Sequence, residues 1–171
     1  PVWINISAVQ LIQGDLEAKL SASLAKYHVP AAMLGLELTE SVLLDERAGD
    51  ISARLVALRD KGHPIAIDDF GTGYSSMAYL KQLPVDKLKL DRAFVRALPE
   101  DSADAAITSA VLAMARGLEL DVVAEGVETE EQRDFLLAQG CAMVQGFLYA
   151  RPERVADVEA RLRRDAEVSL P

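Results

Sequence analysis

The feature that most constrains the fold of this chain is a regular alternation of short apolar segments with longer helical patterns. Six apolar segments have the length of a β-strand: VWINI (2–6), MLGLEL (33–38), PIAID (64–68), DKLKL (86–90), LDVVAE (120–125) and AMVQGFL (142–148). Several of them lack a polar face, which is typical of parallel strands that are covered on both sides by helices. The repeated strand–helix unit therefore predicts an α/β fold, either an open doubly wound sheet or a (β/α)8 barrel.

A polar residue stands at or near the carboxyl end of each predicted strand. These residues are Asn5, Glu37, Asp68, Lys89, Glu125 and Gln145. In a barrel the carboxyl ends of the strands meet at one mouth. In an open sheet, six such residues would lie in a row along one edge and could not all meet. The pattern therefore favours a TIM-type (β/α)8 barrel. A full barrel takes about 250 residues, so we expect an incomplete barrel of about six βα units whose N-terminal strands are missing.

Helical patterns fill the intervals between the predicted strands. They cover residues 14–27, 45–62, 101–118, 128–140 and 151–167. Asp101 or Ser102 is a predicted N-cap, and Thr129 with Gln132 has the spacing of a capping box. Gly62 is predicted to be the C-cap glycine of the helix over 45–62. No linker or low-complexity tract interrupts the series, so we predict one domain over residues 1–171.

Composition excludes several classes of partner. The chain has 171 residues, half of them hydrophobic, and a formal net charge of −9, which argues against binding to a long nucleic acid. Its apolar runs are too short to span a membrane, and no secretory signal is evident, so we expect a cytoplasmic location without membrane contact. Cys141 is the only cysteine. It lies in an apolar segment, which predicts a buried structural thiol rather than a nucleophile.

Four carboxylates are carried on this apolar scaffold: Glu37, Asp68, Asp69 and Glu125. Several buried and unpaired anions would be very costly, and divalent cations are the usual solution because they prefer hard oxygen ligands. Adjacent aspartates can each face a different ion, so a two-metal site is predicted.

Other polar groups join this predicted ring. Asn5 offers a neutral oxygen ligand, and Lys89 is the one cation among the six strand-end residues. Its ammonium group could hold a water molecule at the metal or screen charge on a phosphate oxygen. The backbone amides of Gly71, Thr72 and Gly73 could line the substrate in a flexible loop that acts as a gate.

Taken singly, each of these residues has a structural alternative. Asp68 could be a helix N-cap, Glu125 a surface loop residue and Asn5 a turn former. Lys89 could form a salt bridge with Asp91 at the barrel mouth. On physical grounds alone, a metal-dependent barrel enzyme acting on a carboxylate or sugar phosphate explains the carboxylates equally well.

The longer motifs point to one family. The segments INISAVQL, LELTES, IAIDDFGTGYSSMAYLKQLPVDKLKLDRAFV, VVAEGVETEEQ and GCAMVQGFLYARP resemble the successive motifs of the EAL domain. That family comprises bacterial cyclic di-GMP phosphodiesterases and their inactive relatives. The resemblance runs from residue 2 to about residue 152. It implies a TIM-type barrel and Mg²⁺- or Mn²⁺-dependent hydrolysis of cyclic di-GMP to linear pGpG.

The resemblance also implies roles for individual residues. Asn5, Glu37 and Asp68 resemble metal ligands, and Asp69 with Glu125 resembles the set that serves a second ion. Lys89 is similar to the residue that orients the attacking water, and Gln145 to the glutamine that supports it. Glu40 resembles the glutamate that braces the DFGTGYSS loop, which the family also associates with dimerisation. Asp91 and Glu128 match further acidic site positions, while Gly71, Thr72, Gly73 and Pro152 match positions near the substrate.

One element of the family pattern is absent from the sequence. The Glu-Ala-Leu signature, whose glutamate is a metal ligand in the family, does not occur where the resemblance requires it, upstream of the first motif. We therefore expect a truncated domain that is weakly active or inactive as an isolated fragment. We also expect a homodimer that covers the open edge of the first strand. The alternative function is a non-catalytic cyclic di-GMP receptor or scaffold.

Overall fold

The sheet of this protein consists of parallel strands in chain order. The structure is a computed structural model that describes residues 1–12, 14–41, 48–73 and 80–168. Within these residues the strands are β1 (Val2–Asn5), β2 (Leu34–Thr39), β3 (Ile65–Phe70), β4 (Lys87–Leu90), β5 (Asp121–Glu125) and β6 (Met143–Gln145). Each strand pairs in parallel with the next, in the order β1-β2-β3-β4-β5-β6. Six parallel strands added in this way form the half-barrel that the sequence predicts.

Helices connect the strands at the intervals that the sequence predicts. They are α1 (Ala8–Ile12), α2 (Leu16–Tyr27), α3 (Ala48–Asp60), α4 (Ser102–Gly117), α5 (Glu130–Ala138) and α6 (Val155–Val168). Short 3₁₀ helices span Ala31–Met33 and Arg92–Phe94. The first residues of the helix predicted from position 45, and the part of the predicted glycine loop that lies beyond Gly73, fall outside the described residues.

Strand residues alternate between an apolar face and the face that carries the polar groups. Leu36, Leu38, Ile67, Leu88 and Leu90 are almost completely buried in one hydrophobic core that also takes in residues of the helices. Each such side chain stabilises the fold by about 1.5–3 kcal/mol relative to exposure. The intervening residues of the same strands point to the opposite face, because successive side chains alternate along a strand. The sheet therefore presents its polar residues together.

Local capping fixes the helix ends as predicted. The Asp101 carboxylate accepts hydrogen bonds from the backbone N–H groups of Ala103 and Asp104, at 2.8 and 3.0 Å. Thr129 and Gln132 form a capping box at the start of α5. After α3, the N–H of Gly62 donates to the carbonyl of Arg59, and the next N–H donates to Leu58, as in a Schellman motif. Gly62 has φ +97°, which glycine adopts without strain.

Three elements differ from the predictions, and one of them is the last helix, which was predicted from residue 151 but begins at Val155. The sequence interpretation missed α1, although Ser7 and Gln10 form the same reciprocal hydrogen bonds as a capping box and Leu11 is buried. The strand predicted over 142–148 was too long, since β6 ends at Gln145 and the chain then turns. At Gly146 the backbone approaches Val127 so closely that an added Cβ would lie 2.0 Å from the Val127 carbonyl oxygen.

The structure can be compared with the predictions for the Cys141 thiol and for membrane-spanning segments. Cys141 is buried and its Sγ lies 3.3 Å from the Met143 carbonyl oxygen, as a structural thiol would. Burial raises the pKa of this thiol. Among the described helices, none is long and apolar enough to cross a membrane.

Candidate active site

The adjacent aspartates lie on a β-bulge. In β3, Ile67 pairs with Leu88 and Phe70 with Leu90, so two residues of β3 oppose the single residue Lys89 of β4. Asp69 has φ +54°, a left-handed conformation that aspartate tolerates better than most residues. A bulge changes the direction of one side chain, which explains how neighbouring carboxylates of one strand reach the same site.

Lys89 lies at the centre of this site and is almost fully buried. Its Nζ is 2.8 Å from Glu125 Oε1, 2.9 Å from Asp68 Oδ1 and 3.0 Å from Glu37 Oε2. The three carboxylates come from β2, β3 and β5, on either side of β4. One ammonium group therefore joins four strands. The predicted convergence of strand-end residues is observed for these four side chains.

Burial and neighbouring charges shift the pKa values of three residues in the site. Burial would lower the pKa of Lys89, but its hydrogen bonds to Glu125, Asp68 and Glu37 raise that pKa above its ordinary value. Burial raises the pKa of Glu125 and outweighs the opposing effect of Lys89, while the charges of Asp68 and Glu37 add to the rise. Burial, followed by the nearby charges of Asp68 and Asp91, raises the pKa of Asp69. The site thus holds more negative charge than Lys89 neutralises.

A set of three carboxylates has the geometry of a metal site. Asp68, Asp69 and Glu125 each offer one oxygen, and these oxygens lie within 4.8 Å of one another. Carboxylate oxygens are hard ligands that suit Mg²⁺, Mn²⁺ and Ca²⁺. The excess negative charge described above would also be neutralised by a cation. The residues present therefore fit a divalent metal ion.

Glu40 holds the start of the glycine loop. Its Oε2 accepts hydrogen bonds from the N–H of Gly71 at 2.8 Å and of Gly73 at 3.0 Å. The Thr72 hydroxyl donates to the Asp69 carbonyl oxygen at 2.9 Å. Because both amides donate to Glu40, they do not point freely toward a ligand. The loop start is thereby tied to the bulge that carries Asp69.

A cavity of about 270 Å³ adjoins the carboxylates. Its walls include the predicted site residues Asp69, Asp91, Glu125, Glu128 and Gln145. The carboxylate of Asp91 lies close enough to Asp69 to contribute to the raised pKa of that carboxyl group. Within the described residues, the Gln145 side chain makes no hydrogen bond to Lys89, so its predicted support of that lysine stays a prediction. The cavity brings together residues from the ends of β3, β4, β5 and β6.

The remaining predicted residues lie around this centre. Asn5 is the last residue of β1 and pairs in register with Glu37, with its side chain exposed. Pro152 is exposed and lines a second cavity, which also includes Gln145 and Phe147. The ring of Phe147 lies 4.4 Å from the guanidinium carbon of Arg151. The roles assigned to Asn5 and Pro152 stay predictions.

Three of the structural alternatives are wrong. Asp68 lies within β3 and does not cap a helix, because its Oδ1 accepts from the N–H of Asp69 at 3.1 Å. Glu125 ends β5 and is paired with Lys89, so it is not a surface loop residue. Lys89 does not pair with Asp91, whose carboxylate instead accepts from the N–H of Ala93 at 2.7 Å.

Among the cavity-lining residues other than glycine, the sequence interpretation assigned no role to two, Arg92 and Phe147. Arg92 directly follows Asp91, and Phe147 follows Gln145 by two positions. Both lie within the motifs that resemble the EAL domain. Their position beside assigned residues was the available signal. The overlong strand predicted over 142–148 placed Phe147 inside the sheet and hid its exposure.

The fold and the site together define a parallel α/β barrel with carboxylates and a lysine at its carboxyl mouth. The family model described as "EAL domain" matches residues 1–152. The chain belongs to the EAL domain family, as its motifs indicated.

The chain is similar to curated and structurally characterised proteins. It is 47% identical over 154 residues to the bifunctional diguanylate cyclase/cyclic di-GMP phosphodiesterase MucR of Pseudomonas aeruginosa, a match that covers 88% of this chain and 22% of MucR. The chain therefore spans about a fifth of the length of that relative. A cyclic di-GMP complex of the MucR phosphodiesterase has a TM-score of 0.85 and 44% identity, covering 91% of this chain and 63% of that one.

Two further structures show the same fold. The EAL domain of Mycobacterium smegmatis DcpA has a TM-score of 0.89 and 40% identity, covering 95% of this chain and 72% of that one. A manganese and cyclic di-GMP complex of Klebsiella pneumoniae BlrP1 has a TM-score of 0.80 and 34% identity, covering 88% of this chain and 38% of that one. A calcium complex of BlrP1 is also known.

Proposed function

We propose that this chain is the catalytic part of a phosphodiesterase that hydrolyses cyclic di-GMP to linear pGpG. The observation that carries the proposal is the cluster of Asp68, Asp69 and Glu125 around Lys89 at the barrel mouth. The structures of MucR and BlrP1 in complex with cyclic di-GMP support the choice of substrate.

The proposed cofactor is Mg²⁺ or Mn²⁺, with two ions in the complete site. Asp68, Asp69 and Glu125 would hold the ions, with Asn5 and Glu37 as further ligands. Bound ions would supply charge neutralisation at the scissile phosphate and favour deprotonation of a nearby water. The close approach of the three carboxylate oxygens and the manganese complex of BlrP1 support this assignment.

The roles that we propose for the protein side chains follow from their positions. Lys89, a buried cation beside the carboxylate cluster, orients the attacking water and faces the developing charge on the phosphate. Gln145 supports that orientation from the next strand but one. Asp91 lies beside Asp69 and adds to the negative charge around it, while Glu128 adds a further negative charge to the cavity wall. Glu40 holds Gly71 and Gly73, so that the loop with Thr72 and the more distant Pro152 frame the substrate.

We further propose that the protein acts as a homodimer in the cytoplasm. The proposal is motivated by the loop that begins at Gly71, which the family resemblance associates with dimerisation and which Glu40 holds through the N–H groups of Gly71 and Gly73. Sedimentation equilibrium tests the proposal, and a monomer over the micromolar range would contradict it.

Hydrolysis is tested directly by incubating the chain with cyclic di-GMP and Mn²⁺ or Mg²⁺ and separating the products by chromatography. The experiment also includes a version extended upstream by about a quarter of its length or more, following the size of a full barrel. We expect pGpG from the extended version and less or none from the chain alone. Asp69→Asn should abolish the product, and Glu100→Gln, which removes an exposed carboxylate outside the cluster, should not.

Two other outcomes would contradict the proposed enzyme. Retention of cyclic di-GMP without hydrolysis by either version would favour the non-catalytic receptor. Failure of both versions to bind or cleave it would show that membership of the family does not extend to this ligand.

A further inference from the structure

A basic side chain, that of Arg92, lines the cavity beside the carboxylate cluster. Among the described residues that line it, Asp69, Asp91, Glu125 and Glu128 are acidic and Arg92 is the only basic one. Arg92 is exposed, and within the described part of the chain its guanidinium group has no ion pair or hydrogen bond. An arginine that lines an acidic cavity without using any of its donors is available for an anionic ligand.

The base of the Arg92 side chain has a fixed position. The Asp91 carboxylate accepts a hydrogen bond from the Ala93 N–H at 2.7 Å, which holds the 3₁₀ turn that begins at Arg92. The backbone that follows Glu125 lies against it, since a Cβ added to Gly126 would be 2.4 Å from the Arg92 Cβ. Gly126 has φ +71°. Arg92 is therefore held directly beside the strand end that carries Glu125.

A cyclic dinucleotide carries two negative phosphodiester groups, and an acidic cavity repels both. Ions held by the carboxylate cluster would neutralise the phosphate next to them. We propose that Arg92 binds a non-bridging oxygen of the other phosphate, and this inference rests on the proposed function. A guanidinium group suits this contact because it donates two parallel hydrogen bonds to a phosphate.

The neighbouring Arg96 provides a matched control. It is also exposed, lies on the same turn of chain and carries the same charge. It lines an adjacent cavity with Arg92, Asp91 and Glu128, but it does not line the cavity that contains Asp69 and Glu125. A merely solvated surface arginine would behave alike at both positions, whereas a phosphate ligand is required only at position 92.

The test measures cyclic di-GMP affinity by calorimetry in Ca²⁺, the ion present in one BlrP1 complex. Arg92→Gln should weaken binding about tenfold or more, as expected for the loss of charge-assisted hydrogen bonds. Arg92→Lys keeps the charge but not the paired hydrogen bonds, so its affinity should lie between that of Arg92→Gln and that of the unmodified chain. Arg96→Gln should leave the affinity for cyclic di-GMP within about twofold of that of the parent, the chain without substitutions. Added salt should weaken binding to the parent more than to Arg92→Gln, because the lost contact is ionic.

Separate measurements distinguish a failure of the role proposed for Arg92 from a failure of the proposed function. Affinity for Ca²⁺ alone should be the same in Arg92→Gln and the parent, since Arg92 is not a metal ligand. If the parent binds cyclic di-GMP and Arg92→Gln binds equally well, the role of Arg92 is overturned while the proposed ligand stands. Equal losses in Arg92→Gln and Arg96→Gln would also overturn it. If the parent does not bind cyclic di-GMP, the proposed function and the role of Arg92 are both overturned.

Discussion

Lys89 controls the charge balance of the site, because its ammonium group is within 3.0 Å of three carboxylates. Its side chain is 10% exposed, so water does little to compensate for the loss of the cation. Removing one member of a buried ionic cluster is more costly than removing an exposed pair. The metal-free protein should therefore depend on Lys89 for stability as well as for any catalysis.

We expect Lys89→Met to lower the free energy of unfolding by about 3–5 kcal/mol in the presence of a chelator, measured by urea denaturation. Lys87→Met is the matched control on the same strand. Lys87 pairs with Asp121, whose side chain is 62% exposed, so this loss should be below about 1 kcal/mol. Similar losses in the two variants would contradict the importance assigned to the buried cluster.

Individual residues of the site were predictable to different extents. The spacing of strand-end residues predicted that Glu37, Asp68, Lys89 and Glu125 converge, because parallel strands of a barrel end at one mouth. It could not predict that Lys89 pairs with three carboxylates rather than with Asp91. That choice is made by tertiary packing, and the second carboxylate of β3 reaches the site through a bulge at which Asp69 has a left-handed backbone. Neither feature has a periodic signal in the sequence.

At the scale of elements, hydrophobic pattern and capping residues predicted the existence of strands and helices better than their ends. β6 illustrates the limit, since its apolar pattern continues through Leu148 but the strand stops at Gln145. The chain turns there because Gly146 packs against the backbone of Val127, and Leu148 donates to the Val127 carbonyl at 3.1 Å. This contact between distant segments is tertiary, so a local pattern does not reveal it.

The turn after β6 gives a prediction for this element. Gly146→Ala should lower the free energy of unfolding by about 1–3 kcal/mol, because the new methyl group meets backbone atoms that cannot rotate away. Gly117→Ala is the control: this residue ends α4 and an added Cβ meets nothing within 4 Å. It should stabilise the protein by about 0.4–1 kcal/mol. Chemical denaturation of both variants checks the signs, and a neutral Gly146→Ala would show that the turn is not constrained as described.

At the scale of the whole molecule, six parallel strands in chain order place the carboxylates at one mouth. The alternation of segments predicted this architecture because each βα unit adds its strand beside the previous one. The formal net charge of −9 has a second consequence, since it attracts cations over the entire surface. A stabilising effect of a divalent ion is therefore meaningful only if it depends on the cluster.

We expect Mn²⁺ at about 100 times its dissociation constant to stabilise the protein by about 2.7 kcal/mol. For a chain of this size, that corresponds to a rise of roughly 5–10 °C in the melting temperature. Asp69→Asn replaces one of the three clustered carboxylates by a neutral amide and should lose most of the rise, as measured by differential scanning fluorimetry. Glu100→Gln changes the net charge by the same amount and should keep the full rise. An equal rise in all three proteins would mean that the ions bind diffusely to the acidic surface. A rise confined to proteins with an intact cluster would instead locate the ion at the barrel mouth, where the strands bring the carboxylates together.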